Sequence, residues 1–283
     1  MTGGGMGGAE RVGPWRWAGI ALALVLALFP FLVLALNSVR PAGEFLSPGA
    51  GLLPAQPTLE HYRAVLGGDG ETWRFLLNSV VVTAAATALA VALGAPAAYA
   101  LARWRLPFRL SLVIGLSFLV VRFYPKIAVA IPFYLLMRDW GLLDTHLAVI
   151  LAHASLALPL VVWILLGFFE EIPREIELSA MLDGCGAWLR FRRVVLPLSL
   201  PALGAAAILT AILSWNEFLL ASTVAAGEAR TLPVRIAGFI TDKGTQWGPM
   251  SAMGTVIVLP VALFALLAQR WLARGLTAGA VKG

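Results

Sequence analysis

The sequence is poor in charge and nearly devoid of cysteine. Only 13% of its 283 residues are Asp, Glu, Lys or Arg, about half the roughly 25% of an ordinary soluble domain. So little charge cannot cover a soluble surface of this size. A disordered chain is excluded too, because disorder needs low hydrophobicity and high charge. The single Cys185 rules out an intrachain disulfide and leaves no CxxC or Cys/His metal cluster. What the chain has in abundance is apolar surface, with 60% hydrophobic residues and a mean hydropathy of +0.86. A net charge of +6 would suggest nucleic acid in a soluble protein, but here the basic residues sit in short loops between apolar runs. That pattern is the mark of a membrane protein oriented by its cytoplasmic face. The expected fold class is an all-α polytopic helical bundle in a lipid bilayer, with no nucleic-acid partner and no metal.

A helix crossing the roughly 30 Å hydrocarbon core needs about 20 predominantly apolar residues. Five charge-free runs qualify: Trp17–Val39, Phe75–Ala102, Thr145–Phe169, Val194–Asn216 and Gly244–Gln269. A sixth, Leu110–Met137, is apolar except for Arg122 and Lys126 near its middle. It is read as one helix with two internal charges, the alternative being two re-entrant halves. The first run is longer than a signal-peptide core and no small-x-small cleavage site clearly follows it, so an uncleaved anchor is expected. Residues 1–16 then form a disordered Gly-rich tail, 17–39 the first membrane helix, 75–269 the main transmembrane domain, and 270–283 a C-terminal tail.

Lys and Arg set the orientation. Both termini and the loops after the second and fourth spans carry twelve basic residues, among them Arg103, Arg105, Arg109, Arg174, Arg190, Arg192 and Arg193. The other three loops carry seven over a much longer stretch of chain. Both termini are therefore expected in the cytoplasm. No connection is long enough for a soluble core of its own, so the driving energy must come from another chain or from an ion gradient.

The loop at 170–197 is the most informative segment. Pro173 suits a first helical turn, and Glu175 and Glu177 complement the positive end of a helix dipole. Ile172, Ile176 and Ala180 share one face at i, i+4 spacing, and Gly184 can adopt the left-handed conformation that ends a helix. The spacing predicts a short amphipathic helix with an apolar ridge and an acidic flank, fit to dock in a partner's groove. A helix lying on the lipid surface is the alternative, opposed by the acidic flank.

This loop resembles the EAA loop of type I ABC importer permeases, whose pattern is E-A-A, three residues, G, nine residues, I-x-L-P. Leu178-Ser179-Ala180 occupies the triplet, Gly184 the glycine, and Val194-x-Leu196-Pro197 the end. Leu178 stands where the family usually has Glu, with Glu177 one position earlier. Ser214-Trp-Asn-Glu-Phe218, Thr231-Leu-Pro-Val234, Tyr99-Ala-Leu-Ala-Arg103, Gly141-Leu-Leu-Asp-Thr145, Gln269-Arg270 and the terminal Gly275–Gly283 extend the resemblance to the G-type subunit of maltose-type carbohydrate importers. It covers roughly residues 75–283. The resemblance implies a non-catalytic permease subunit in a bacterial or archaeal plasma membrane. Its partners would be a second, different permease, two ABC ATPase subunits, an extracytoplasmic solute-binding protein and a sugar or polyol, with ATP and Mg held by the ATPase rather than by this chain. It implies ATPase coupling at Glu175, Glu177, Leu178, Ser179, Ala180, Asp183, Gly184, Leu196 and Pro197. It also implies ATPase contact by the tail residues Thr277, Gly279, Val281, Lys282 and Gly283.

Charges inside a bilayer are costly and mark function by default. Arg122 and Lys126 share one helical face, with Pro125 between them. At about 1.5 Å rise per residue Lys126 lies about 24 Å deep and Glu217 about 28 Å along its own helix. Three readings stay open for Arg122, Lys126, Asn216 and Glu217. One is a Lys126–Glu217 ion pair, one is pairing with the partner permease or with carbonyls freed by Pro125, and one is a cationic lining of the translocation path. His153 is expected to be hydrogen-bonded between helices. A gradient-driven secondary transporter is the alternative function, but it predicts internal repeats and membrane-embedded titratable groups, whereas the acids here cluster in one loop. A membrane enzyme would need a polar cluster at one depth, and the spans offer only His153 and Glu217. The chain has no Walker A pattern of its own, as a subunit energised by a partner should lack.

Overall fold

The computed structural model describes residues 13–47, 51–68, 70–104, 107 and 110–279. Helix α1 (Pro14–Ser38) begins on a proline, whose missing N–H costs nothing in a first turn. A short turn at Ala42–Leu46 and α2 (Glu60–Gly67) lead into α3 (Glu71–Arg103). Then follow α4 (Leu110–Phe123), α5 (Lys126–Asp139), α6 (His146–Glu171) and α7 (Arg174–Leu182). Next come α8 (Ala187–Arg190), a π-turn at Phe191–Val195, α9 (Leu196–Leu198) and α10 (Leu200–Trp215). Helices α11 (Leu219–Val224) and α12 (Leu232–Ala237) precede a two-residue hairpin, Ile240–Thr241 against Gly244–Thr245, and α13 (Trp247–Gly279) closes the chain. The fold is all-α.

Helices α3 and α6 make the most extensive pairing, and small residues are the reason. Ala90, Ala95, Ala98 and Ala102 on α3 meet Ala157, Val161, Val162 and Leu165 on α6. In lipid, where no hydrophobic force drives helices together, close backbone approach supplies the packing energy. Gly94 is required at this contact, because a Cβ there would stand 2.6 Å from Val161 Cγ1. A second cluster joins α3, α10 and α13 through Phe75, Trp215 and Met253.

Two expectations from the sequence are corrected. The third span is not one helix: it breaks at Tyr124–Pro125, where Pro125 takes the extended ψ of 118°. Proline disfavours the helical region for the residue before it and has no N–H for the ladder, so two helices of 14 residues each replace one. The expected fifth span is likewise bent, by 78° between Ala187–Leu198 and Leu200–Trp215. Its corner is Ser199, flanked by Pro197 and Pro201, whose hydroxyl donates 2.7 Å to the Val195 carbonyl. Among the described residues, four helices are long and apolar enough to cross a membrane, and the bent pair makes a fifth candidate. The last helix continues to Gly279, so the segment expected as a separate tail from 270 begins inside α13.

Candidate functional site

Helix α7 is set by its ends. Pro173 starts it, and Glu175 and Glu177 occupy its first turn. It stops in a Schellman motif, with Cys185 N–H bonding the Ala180 carbonyl and Gly184 N–H that of Met181, both at 3.0 Å. Gly184 sits there at φ +81°, where a Cβ costs roughly 1–2 kcal/mol. The rotation of the helix is fixed by Glu177, which points inward and is only 7% exposed. Tyr99 Oη donates to one of its oxygens at 2.6 Å and Arg103 Nε to the other at 2.5 Å. Arg103 Nη2 also donates to the Ile172 carbonyl at 2.9 Å. Tyr99 and Arg103 are one turn apart at the end of α3, so this pair of side chains ties α7 to the main helix pairing. Beneath them Tyr99 packs edge-on to Phe169 and tilted against Phe191.

With Glu177 inward, the residues that face out are Leu178 and Leu182, flanked by Met181, Glu175, Ser179 and Asp183. Leu178 and Met181 are each 51% exposed and Leu182 88%. The expected ridge of Ile172, Ile176 and Ala180 is corrected. Of its three residues only Ile176 is exposed, at 41%, whereas Ile172 is buried as the C-cap of α6 and Ala180 is half-buried. The inward pull on Glu177 turns the outer apolar strip onto Leu178 and Leu182. Pro197 is exposed and Leu196 packs on the core below the loop. Thr277 and Gly279 lie on the last turns of α13, while Val281, Lys282 and Gly283 fall outside the described residues.

A second polar cluster lies at the break between α4 and α5. Lys126 opens α5, and its Nζ stands 3.9 Å from Glu217 Oε1, with the lysine side chain half exposed and the glutamate buried. Glu217 also caps α11, accepting from the Leu220 and Ala221 N–H groups at 3.1 and 3.0 Å. His153 Nδ1 meets Ser214 Oγ at 2.8 Å, which joins α6 to α10 as expected. The structure therefore brings Lys126 and Glu217 together, adds His153 and Ser214, and leaves Asn216 aside, its amide donating to the Ile212 carbonyl of its own helix. Arg122 lies in the last turn of α4, and its side chain is outside the described residues.

A third network, at the other end of the bundle from α7, was not anticipated in the sequence. Asp144, the one described non-glycine residue with positive φ, at 58°, accepts from the N–H groups of Gly227, Glu228 and Ala229 at 2.9, 2.9 and 3.2 Å. Burial pushes its pKa up, but these three N–H donors and the charge of Arg230 outweigh that and hold it below the ordinary value. Asn78 donates to the Glu228 and Arg230 carbonyls and bonds His146 at 2.7 Å. Asp144 falls in one of the sequence motifs and Leu232 in another, its N–H donating to Ser79 Oγ on α3 at 2.9 Å, so the network joins the two motifs as one clasp between α3, the start of α6 and the loop before α12. Among the described residues no group of His, Cys, Asp and Glu could hold a metal ion.

Residues 90–278 match the family described as the binding-protein-dependent transport system inner membrane component. The chain is 38% identical to the trehalose transport system permease protein SugB of Mycobacterium tuberculosis, over 98% of this chain and all of that one. It is 34% identical to the maltose/maltodextrin transport system permease protein MalG of Salmonella typhimurium, over 94% of each. A chain from the crystal structure of a bacterial ABC transporter that imports the acidic polysaccharide alginate shares the fold at a TM-score of 0.73, with 24% identity, covering 93% of this chain and 99% of that one.

Proposed function

The chain belongs to the binding-protein-dependent transport system inner membrane components, and on that premise we propose that it forms half of the sugar path of an ATP-driven importer. It is a multi-pass inner-membrane permease subunit of an ABC importer, and the family's permease subunits are not enzymes. The sugar class rests on relatives named for trehalose, maltose and diacetylchitobiose. The partners of this reading are a second, different permease, two ATPase subunits that bind ATP and Mg, and a binding protein outside the membrane. The α7 end then faces the cytoplasm, and the Asp144 clasp lies outside.

The observation that carries the reading is the two-sided α7. Its outer side offers Leu178, Met181 and Leu182 to a cleft in another chain, and an apolar helix face of this kind suits helix-in-groove docking. Its inner side is tied by Glu177 to Arg103 and Tyr99 on α3. When the ATPases close on ATP, a docked α7 moves, and α3 with its partner α6 moves with it. The path then opens toward the binding protein.

The test is a pull-down from membranes with tagged wild type and Gly184→Asp. Aspartate at φ +81° strains the turn that ends α7 without touching the membrane helices. An ATPase subunit is expected with wild type, reduced at least tenfold with the variant. Absence of any ATPase from the wild-type sample would leave the reading without its energy source.

A further inference from the structure

The cluster at the α4–α5 break borders a cavity of about 330 Å³, lined by Phe123, Tyr124, Lys126, His153, Ser214 and Glu217 among others. That volume is at the lower end of the roughly 300–1,000 Å³ of small-molecule sites, enough for one sugar ring and not for a chain of them. The cavity sits where irregular backbone is tolerated in a membrane only if protein or water covers it, as at the broken helices of transporters. Its aromatic rim is open, with Phe123 78% and Tyr124 54% exposed.

The polar groups in it are incompletely used. His153 is 2% exposed, yet its Nε2 has no hydrogen-bond partner, the nearest carboxylate oxygen of Glu217 standing 3.5 Å away. That nitrogen is closed off from the cavity and faces the Glu217 carboxylate, so His153 backs Glu217 from behind and leaves the carboxylate and Lys126 as the polar groups a ligand can meet. Lys126 reaches Glu217 only at 3.9 Å, too long for a direct hydrogen bond. Its three N–H donors therefore remain available to an oxygen between the two side chains. Lysine and carboxylate also cancel in charge, so among the described side chains of the cavity nothing favours an anion, and the buried carboxylate opposes one.

We propose that this cavity is a hydroxyl-binding subsite of the translocation path, which takes one neutral pyranose ring. Glu217 accepts from and Lys126 donates to ring hydroxyls, His153 positions Glu217 from behind, and Tyr124 or Phe123 covers an apolar face of the sugar. The subsite rests on the importer reading and adds to it that this chain itself discriminates among solutes.

The test is uptake by membrane vesicles carrying the whole transporter and its binding protein. The probes are trehalose, maltose and diacetylchitobiose, with mono-deoxy and uronic-acid analogues of each. Wild type is compared with Lys126→Met, at a half-exposed position, and with the isosteric Glu217→Gln. Selectivity of the binding protein is common to all samples and cancels when the ratio of sugar to deoxy analogue is compared between wild type and variant. In wild type that ratio is expected to exceed the ratio in either variant by about tenfold for at least one hydroxyl, the order expected when a site's hydrogen-bonding group is removed, with co-purified ATPase unchanged. An unchanged ratio in both variants, or equal loss of every sugar, would assign the cluster a structural role and overturn the subsite. Uptake of uronic-acid analogues but no neutral sugar would overturn it while leaving the importer reading intact. Uptake of no sugar would overturn the sugar reading and the subsite with it.

Discussion

Arg103→Ala is expected to lower solute uptake at least tenfold while the protein still inserts and still retains its ATPase. The variant strands Glu177, whose side chain is 9% exposed, beside an empty place. Removing one partner of a buried ion pair costs roughly 3–5 kcal/mol, and a carboxylate so stranded turns outward or takes a proton. Either way α7 loses its hold on α3, keeping only the Tyr99 hydroxyl. Leu178, Met181 and Leu182 keep their side chains, and the Schellman turn at Gly184 still ends the helix, so the ATPase is expected to stay bound although α7 is free to turn. The signature is therefore a split: ATP hydrolysis by the complex continues, and sugar uptake falls. The exchange Arg103→Glu with Glu177→Arg is expected to restore part of the uptake, because the pair is re-formed with reversed sign. Uptake and hydrolysis falling in proportion would mean that the pair supports folding and not transmission.

The second large effect comes from the opposite side of the same helix. Leu182→Asp and Leu178→Asp place charges at positions that are 88% and 51% exposed in the isolated chain. The chain's own stability should barely change, since exposed substitutions stay within about ±0.5 kcal/mol. Docking should suffer severely: each leucine buried in a cleft contributes about 1.5–3 kcal/mol, and the aspartate adds an unpaired charge there. The pair of substitutions is expected to reduce co-purified ATPase by at least a hundredfold, and Asp183→Leu to reduce it far less. Equal retention of the ATPase by wild type and the double variant would show that α7 is not its docking element.

Much of this was legible in the sequence, and the failures have physical causes. Long apolar runs gave four of the six expected spans as single helices, since a run of 20 apolar residues has few other homes. Pro173 and Gly184 gave the limits of α7, because each restricts the backbone in a way that marks one end of a helix. Depth along two helices put Lys126 near Glu217 but left an ion pair as one of three readings, and the structure sets the two side chains 3.9 Å apart. The face of α7 did not follow, because periodicity says which residues share a face and not which face turns inward. That was decided by Arg103, 74 positions away in sequence. Tyr99-Ala-Leu-Ala-Arg103 did carry a usable signal, two polar groups one turn apart at a membrane boundary. Pro125 carries a signal for the break in the third span and Ser199 between two prolines one for the bend in the fifth, and the expectation of single helices passes over both. Asp144 offered no such signal, since its three N–H donors come from residues 227–229 and only the fold brings them near.

The most direct test of coupling through α7 uses the chain's own chemistry. Cys185 is its single cysteine and directly follows the turn that ends α7. A maleimide photo-crosslinker attached there in native membranes reaches only what lies against that helix end. The account predicts a product that joins this chain to an ABC ATPase subunit, lost in the Leu178→Asp, Leu182→Asp double variant. Crosslinks to lipid alone, with the ATPase present in the same membranes, would make α7 a helix on the bilayer surface and contradict it.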